Sequence, residues 1–299
     1  MGAEARRNEL ATHDGAGQTE AERALTGDAA AAERELLGRL DGLGVFLAGS
    51  ANVVMQLSRP AVGYGVMESK VHSGQVQRHP FKRFRTTIGF LDIALNGSPA
   101  LQADYREAIN RQHRQVRSGP DSPVRYNAFD RDLQKWVASC LYYGVRDVYL
   151  TMRGPLTPAE EEVLLRACSR FGTMLQMPGE IWHADRATFV AYWDEAMTRI
   201  AIDPALRDYL LLLLRARFLP FPLRLFGPSL TWTNTGFLPA PLRDALDLRW
   251  SAADERWFRR LTRTLGRAVR YLPGPLRRAP MNLMAADLRL RRRLGRPMT

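Results

Sequence analysis

The chain has 299 residues, of which 45% are hydrophobic and 25% charged; it is long enough for one large domain or two small ones and too ordinary in composition for a disordered or fibrous chain. Two cysteines, Cys140 and Cys168, exclude a disulfide scaffold, a four-cysteine zinc site and an iron–sulfur cluster, so a reduced, cytoplasmic setting is expected. The formal charge of +12 is localised: 13 arginines and one acid, Asp287, lie between Arg256 and Thr299, leaving 30 bases and 30 acids in residues 1–255. A basic tail on a neutral body points to a local contact with phosphate, anionic lipid or an acidic partner rather than to a DNA-binding surface.

Residues 1–28 mix Gly, Ala, Thr and acids without apolar periodicity or a secretory h-region, and read as a flexible leader. Over 29–47, Leu36, Leu37, Leu40, Leu43 and Val45 recur at helical spacing, with Gly42 and Gly44 expected to end or bend the helix. Short helices follow over 51–57, stopped before Pro60; over 80–95, stopped at Gly97; and over 99–117, stopped at Gly119. The longest, over 130–152, carries one apolar face through Leu133, Trp136, Val137, Cys140, Leu141, Val145 and Val148. Thr157 and Glu160 form a capping box for a helix to Met174; Asp185 or Thr188, then Asp203 before Pro204, cap the next two. After a Pro-rich break, Ser251 opens a helix through Trp257, Phe258, Leu261 and Leu265. The most apolar run, 209–226, is interrupted by Arg215, Arg217, Pro220, Pro222 and Arg224, whereas a spanning helix needs about 20 apolar residues, so no transmembrane helix is expected. Without strand alternation, hairpin signals or repeats, the fold is expected to be all-α: a leader (1–28), a helical domain (29–250) and a basic helical extension (251–299).

Familiar signatures fail. Gly42-Leu43-Gly44 and Gly63-Tyr64-Gly65 lack the third glycine and preceding strand of a dinucleotide loop, and no serine elbow, H-E-x-x-H or calcium loop occurs. His13, His72 and His79 lie in polar stretches and read as solvated; His183, beside Trp182, reads as structural. His113 shares a helical stripe with Ile109 and Val116, which turns its imidazole toward apolar groups; a core histidine and an axial metal ligand both fit. Arg111, Arg114 and Arg117 beside it offer forks for carboxylates or phosphates, or form a solvated face. Arg83 and Thr87, at i and i+4, either aim a guanidinium and a hydroxyl into a pocket or are spent on local bonds. Glu68 is either a base or an exposed loop acid.

The order of these segments is nonetheless distinctive. Ser58-Arg59-Pro60-Ala61-Val62 with Gly65-Val66-Met67-Glu68-Ser69, then Arg83 to Thr87, His113-Arg114-Gln115-Val116, Tyr126-Asn127-Ala128-Phe129-Asp130, Trp136-Val137 and Pro155-Leu156-Thr157 resemble the DUF2236 family over roughly residues 40–250. That family holds the MpaB-type oxygenases and is related to the latex clearing protein, a rubber oxygenase. The resemblance implies a globin-like helical bundle enclosing a b-type haem, with His113 as the iron ligand by its H-x-x-V match. It further implies Arg83 and Thr87 on the distal side and Glu68 as a candidate base. Thr86 stands where the rubber-cleaving members have a lysine, a departure that argues against polyisoprene as the substrate.

These implications agree with elementary chemistry. A neutral imidazole binds iron through one nitrogen while the other is oriented by a hydrogen bond, and hydrogen-bond donors such as Arg83 and Thr87 stabilise charge developing on dioxygen. Glu68 would then move a proton, and Arg111 or Arg117 would meet the haem propionates. The leading expectation is a haem-dependent oxygenase acting with dioxygen on a lipophilic, isoprenoid or otherwise unsaturated small molecule, with residues 256–299 meeting an anionic membrane. A non-catalytic haem protein, and a helical module binding anionic membrane or nucleic acid through the tail, are the alternatives.

Overall fold

The computed structural model describes residues 20–69, 80–216 and 221–297. Their regular elements are helical: α1 (Glu20–Gly38), α2 (Gly42–Leu57), α3 (Pro60–Met67), α4 (Pro80–Asn96), α5 (Pro99–His113), α6 (Arg131–Met152), α7 (Pro158–Thr173), α8 (Arg186–Thr198), α9 (Pro204–Leu214), α10 (Gly227–Phe237), α11 (Ala240–Ala245), α12 (Ala252–Arg270), α13 (Gly274–Arg277) and α14 (Ala279–Arg293). No strand occurs among the described residues, and the fold is all-α as expected. The described residues up to Arg39, carrying α1, form one compact unit, and those from Leu40 onward another, which takes in the described stretch from 251. Most of the leader, with His13, and the loop bearing His72 and His79 lie outside the described residues. No single described helix is long and apolar enough to cross a membrane.

The caps expected from sequence are present: Thr157, Asp185, Asp203 and Ser251 each accept a backbone N–H, and Asp130 caps α6. The first helices differ from expectation. The chain breaks at Arg39–Asp41, and Gly42 and Gly44 open α2 instead of ending a helix. A Cβ at Gly44 would overlap Met152 Sδ and Val148 Cγ1, so this glycine serves close helix packing, not termination.

That contact belongs to a seam between α2 and α6. Gly144 of α6 leaves room for Asn52, whose amide donates to the Cys140 carbonyl (2.6 Å), and one turn on Trp136 Nε1 donates to the Gln56 carbonyl (2.9 Å). On another side of α6, Gly266 of α12 sits against the Met152 carbonyl, and Arg146 holds Glu161 of α7 through two bonds of 2.6 and 2.7 Å. His183 packs against Trp182, Phe189 and Tyr192 with Nε2 2.9 Å from Ser139 Oγ; burial first, and nearby Lys135 second, lower it to about 4.

The C-terminal helices are part of this body. α14 buries Met281, Ala285 and Leu288 and lies on α4, where Gly89 admits the Leu288 side chain. Tail arginines reach the body's acids: Arg277 approaches Asp41 (3.7 Å), Arg278 Asp92 (4.0 Å) and Arg292 Asp104 (2.7 Å). Asp41 is 1% exposed and also takes a two-point grip from Arg153 (2.8 and 3.0 Å).

Two outcomes follow. Leu288→Ala lowers stability in urea denaturation by roughly 2–5 kcal/mol, whereas Leu290→Ala, at a position 54% exposed, stays within about 0.5 kcal/mol. For His183 the native ring resists protonation, so stability is complete above pH 6.5 and falls as pH drops from 6.5 through about 4, by on the order of 2 kcal/mol; His183→Gln flattens that slope.

Candidate active site

α3, α4, α5 and the first turns of α6 surround a cavity of about 230 Å³, where a single water needs only about 10–15 Å³. Its wall is mostly apolar, built by Val62 and Val66 of α3, Phe90 of α4, Ile109 of α5, and Leu133, Val137 and Leu141 of α6. Thr86 and Thr87 enter from α4, Gln112 and His113 from the end of α5, and Tyr126, Asn127 and Ala128 from the following loop.

The loop explains why α5 stops at His113 and not at 117. Val116 N donates back to the His113 carbonyl (2.9 Å), and the backbone then pairs across, Ser118 N to the Tyr126 carbonyl (2.9 Å) and Ala128 N to the Val116 carbonyl (3.0 Å). Donors and acceptors taken this way cannot continue a helix. The pairing draws Val116 and Tyr126–Ala128 into the same wall as His113, whose ring meets Phe129 edge-on at 6.2 Å. Among the described lining residues His113 is the one imidazole, and they include no carboxylate and no thiol.

Tyr126 links the wall to the surface. Gly65 leaves space for its ring, and its hydroxyl donates to Glu68 Oε2 (2.8 Å) while Ser122 Oγ reaches Glu68 Oε1 (3.2 Å). Burial, then the Glu68 carboxylate, push the Tyr126 phenol up to about 12. On the opposite side, Gln134 Nε2 donates to the Ala128 carbonyl (2.9 Å) and to Gln176 Oε1 (3.3 Å), and Tyr105 donates to the Thr86 carbonyl (2.9 Å).

The structure thus brings His113 and Thr87 to one cavity. Glu68 is exposed and does not line it; it reaches the wall through Tyr126. Arg111 and Arg117 are exposed and also lie off the lining, Arg111 facing Glu107 at 3.6 Å. Arg83 belongs to α4 one turn before Thr87, but its side chain lies outside the described residues. Tyr105, Gln112 and Gln134 were missed by sequence reasoning. Extending the Ile109–His113 stripe back one turn reaches Tyr105, so part of that wall was available in the helical period.

Tyr126→Phe keeps the ring and removes the bond to Glu68; it is expected to cost about 1 kcal/mol in denaturant unfolding, and Glu68→Gln, which keeps an acceptor, less.

Comparison with known proteins adds the family. Residues 39–267 match the catalytic domain described as ER-bound oxygenase mpaB/B′/rubber oxygenase. The uncharacterized proteins Mb2261 of Mycobacterium bovis and Rv2237 of Mycobacterium tuberculosis are each 43% identical over 248 residues, covering 83% of this chain and 97% of theirs. No solved structure matches the chain. A family match over this span, containing every helix that walls the cavity, makes the chain a member of the mpaB and rubber oxygenase catalytic-domain family.

Proposed function

We propose that this protein is a haem-dependent oxygenase acting with dioxygen on a lipophilic, unsaturated small molecule, with the cavity between α3, α4, α5 and α6 as its active site. The observation that carries the reading is an imidazole, His113, the one among the described lining residues, set in a largely apolar wall that also holds Thr87, within an oxygenase catalytic domain. The donor set fits a haem. Among the described residues no group of three or more His, Cys, Asp or Glu side chains is placed to hold a metal ion. A lone imidazole suits an iron whose other ligands come from a macrocycle.

When bound, the haem would supply the activation of dioxygen, with His113 holding its iron. The chain's own residues do the rest. Val62, Val66, Phe90, Ile109 and Val137 exclude water and offer an apolar substrate a surface of its own polarity. Thr87 brings a hydroxyl to that surface, and Arg83, one turn earlier on α4, belongs to the same proposed polar element. Glu68 acts at one remove: its Oε2 accepts the hydrogen bond of the Tyr126 hydroxyl (2.8 Å between oxygens) and so orients that phenol at the wall. A peripheral membrane contact through residues 256–299 is proposed with this activity. Its support is the outer face of α12, where Trp257 is 61% exposed beside Leu261 and the arginines at 260, 263 and 267, whereas Phe258 is buried.

The visible spectrum after haem addition tests the reading. A Soret band is expected in the natural sequence and its loss or shift in His113→Ala; a flat spectrum despite haem supply removes the proposal. Thr87→Val should keep the band and lower oxygen-dependent turnover roughly 10- to 100-fold. Trp257→Ala should weaken co-sedimentation with phosphatidylglycerol-containing vesicles, and unchanged binding removes the membrane contact.

A further inference from the structure

A second cavity, of about 530 Å³, opens where α9, the 3-10 turn Leu223–Phe226, α10 and the segment 248–250 meet. Three arginines, Arg215, Arg224 and Arg249, are among its lining residues, together with Trp232 and Trp250. All three arginines are exposed, and among the described residues none has an acid partner. The neighbouring carboxylates are occupied: Asp247 by Arg207 (2.6 Å), Asp254 by Trp232 Nε1 (2.9 Å) and Glu255 by Trp250 Nε1 (2.8 Å). The other polar lining groups give no free proton, because Thr231 Oγ1 donates to the Gly227 carbonyl and Thr235 Oγ1 to the Thr231 carbonyl, both at 2.8 Å. What the cavity offers a ligand is therefore cationic donors and aromatic faces.

We infer that this cavity binds a phosphoryl group carried on an apolar moiety, the three guanidinium groups taking the oxyanion and the indoles the adjoining apolar part. Guanidinium forks match phosphate oxygens in pairs, and the volume falls within the roughly 300–1,000 Å³ of ligand sites. The start of α10 adds the positive end of an 11-residue helix whose first turn has no side-chain cap. Two of the three non-glycine residues with left-handed backbone among those described, Ala216 (φ 49°) and Asp247 (φ 50°), flank the segments that carry Arg215 and Arg249, a form of strain that collects at ligand sites. Phe221, Leu225 and Phe226 stand exposed beside Arg224, which suits a lipid as the bearer of the phosphate. The site is separate from the oxygenase cavity and does not depend on its assignment.

Two probes test this on the full chain: phenyl phosphate, followed by quenching of tryptophan fluorescence, and phosphatidylcholine vesicles with or without phosphatidic acid. The expected result is saturable binding that Arg224→Gln with Arg249→Gln weakens at least roughly tenfold. Arg260→Gln with Arg263→Gln should leave phenyl phosphate binding unchanged. Saturation by phenyl phosphate alone identifies a soluble ester as the ligand, and saturation by phosphatidic acid vesicles alone identifies a lipid headgroup. Binding of neither probe, or binding equally weakened by both arginine pairs, overturns the site. The altered arginines are exposed and unpaired with acids, so an unchanged thermal unfolding curve separates lost binding from lost fold.

Discussion

The close packing of α6 against α2 on one side and against α12 on another constrains everything around it. Gly44 against Met152 and Val148, Gly144 against Asn52, and Gly266 against the Met152 carbonyl each mark a place where a methyl group has no room. Helices this close cannot slide without breaking the Asn52–Cys140 and Trp136–Gln56 bonds across the seam, since each buried donor would lose its partner. The seam therefore sets where the first turns of α6 begin relative to α3. Leu133, Gln134 and Val137 follow from that position, and with them one wall of the His113 cavity.

Charge is organised by the same packing. A neutral body and a +12 tail look like separate objects in the sequence, yet Asp41, Asp92 and Asp104 of the body face Arg277, Arg278 and Arg292. Burial holds the Asp92 carboxyl above its ordinary range, with Asn96 and Arg278 pulling it back down. Part of the tail's charge is thus internal compensation. Arginines exposed to an external anion include those on the outer face of α12 and, elsewhere, those at 215, 224 and 249.

The His113 cavity shows a division of labour between segments far apart in sequence. α5 delivers His113 at its last residue, α4 delivers Thr87, and the loop after α5 delivers Tyr126 with Glu68 behind it. The Arg117–Asn127 backbone pairing ties the loop back on itself beside the helix end, and the Tyr126–Glu68 and Gln134–Ala128 bonds hold it to α3 and α6, so the site's shape rests on a few hydrogen bonds rather than on a long element. Such an arrangement lets one wall vary while the apolar remainder is held by helix packing.

Helix type, most caps and the apolar faces were legible in the sequence, because the 3.6-residue period and capping chemistry are local properties. Asp130, Thr157, Asp203 and Ser251 needed only their own neighbours to act. His113 and Thr87 were legible as inward-facing candidates for the same reason. The function of Gly44 was not, since a glycine that ends a helix and one that admits a neighbouring helix look alike until the neighbour is in place. Nor could spacing reveal that Glu68 stops short of the cavity, that Arg111 and Arg117 face away from it, or that Arg215, Arg224 and Arg249 converge. Those facts depend on contacts between segments tens of residues apart, and such contacts are decided by the packing of whole helices in three dimensions.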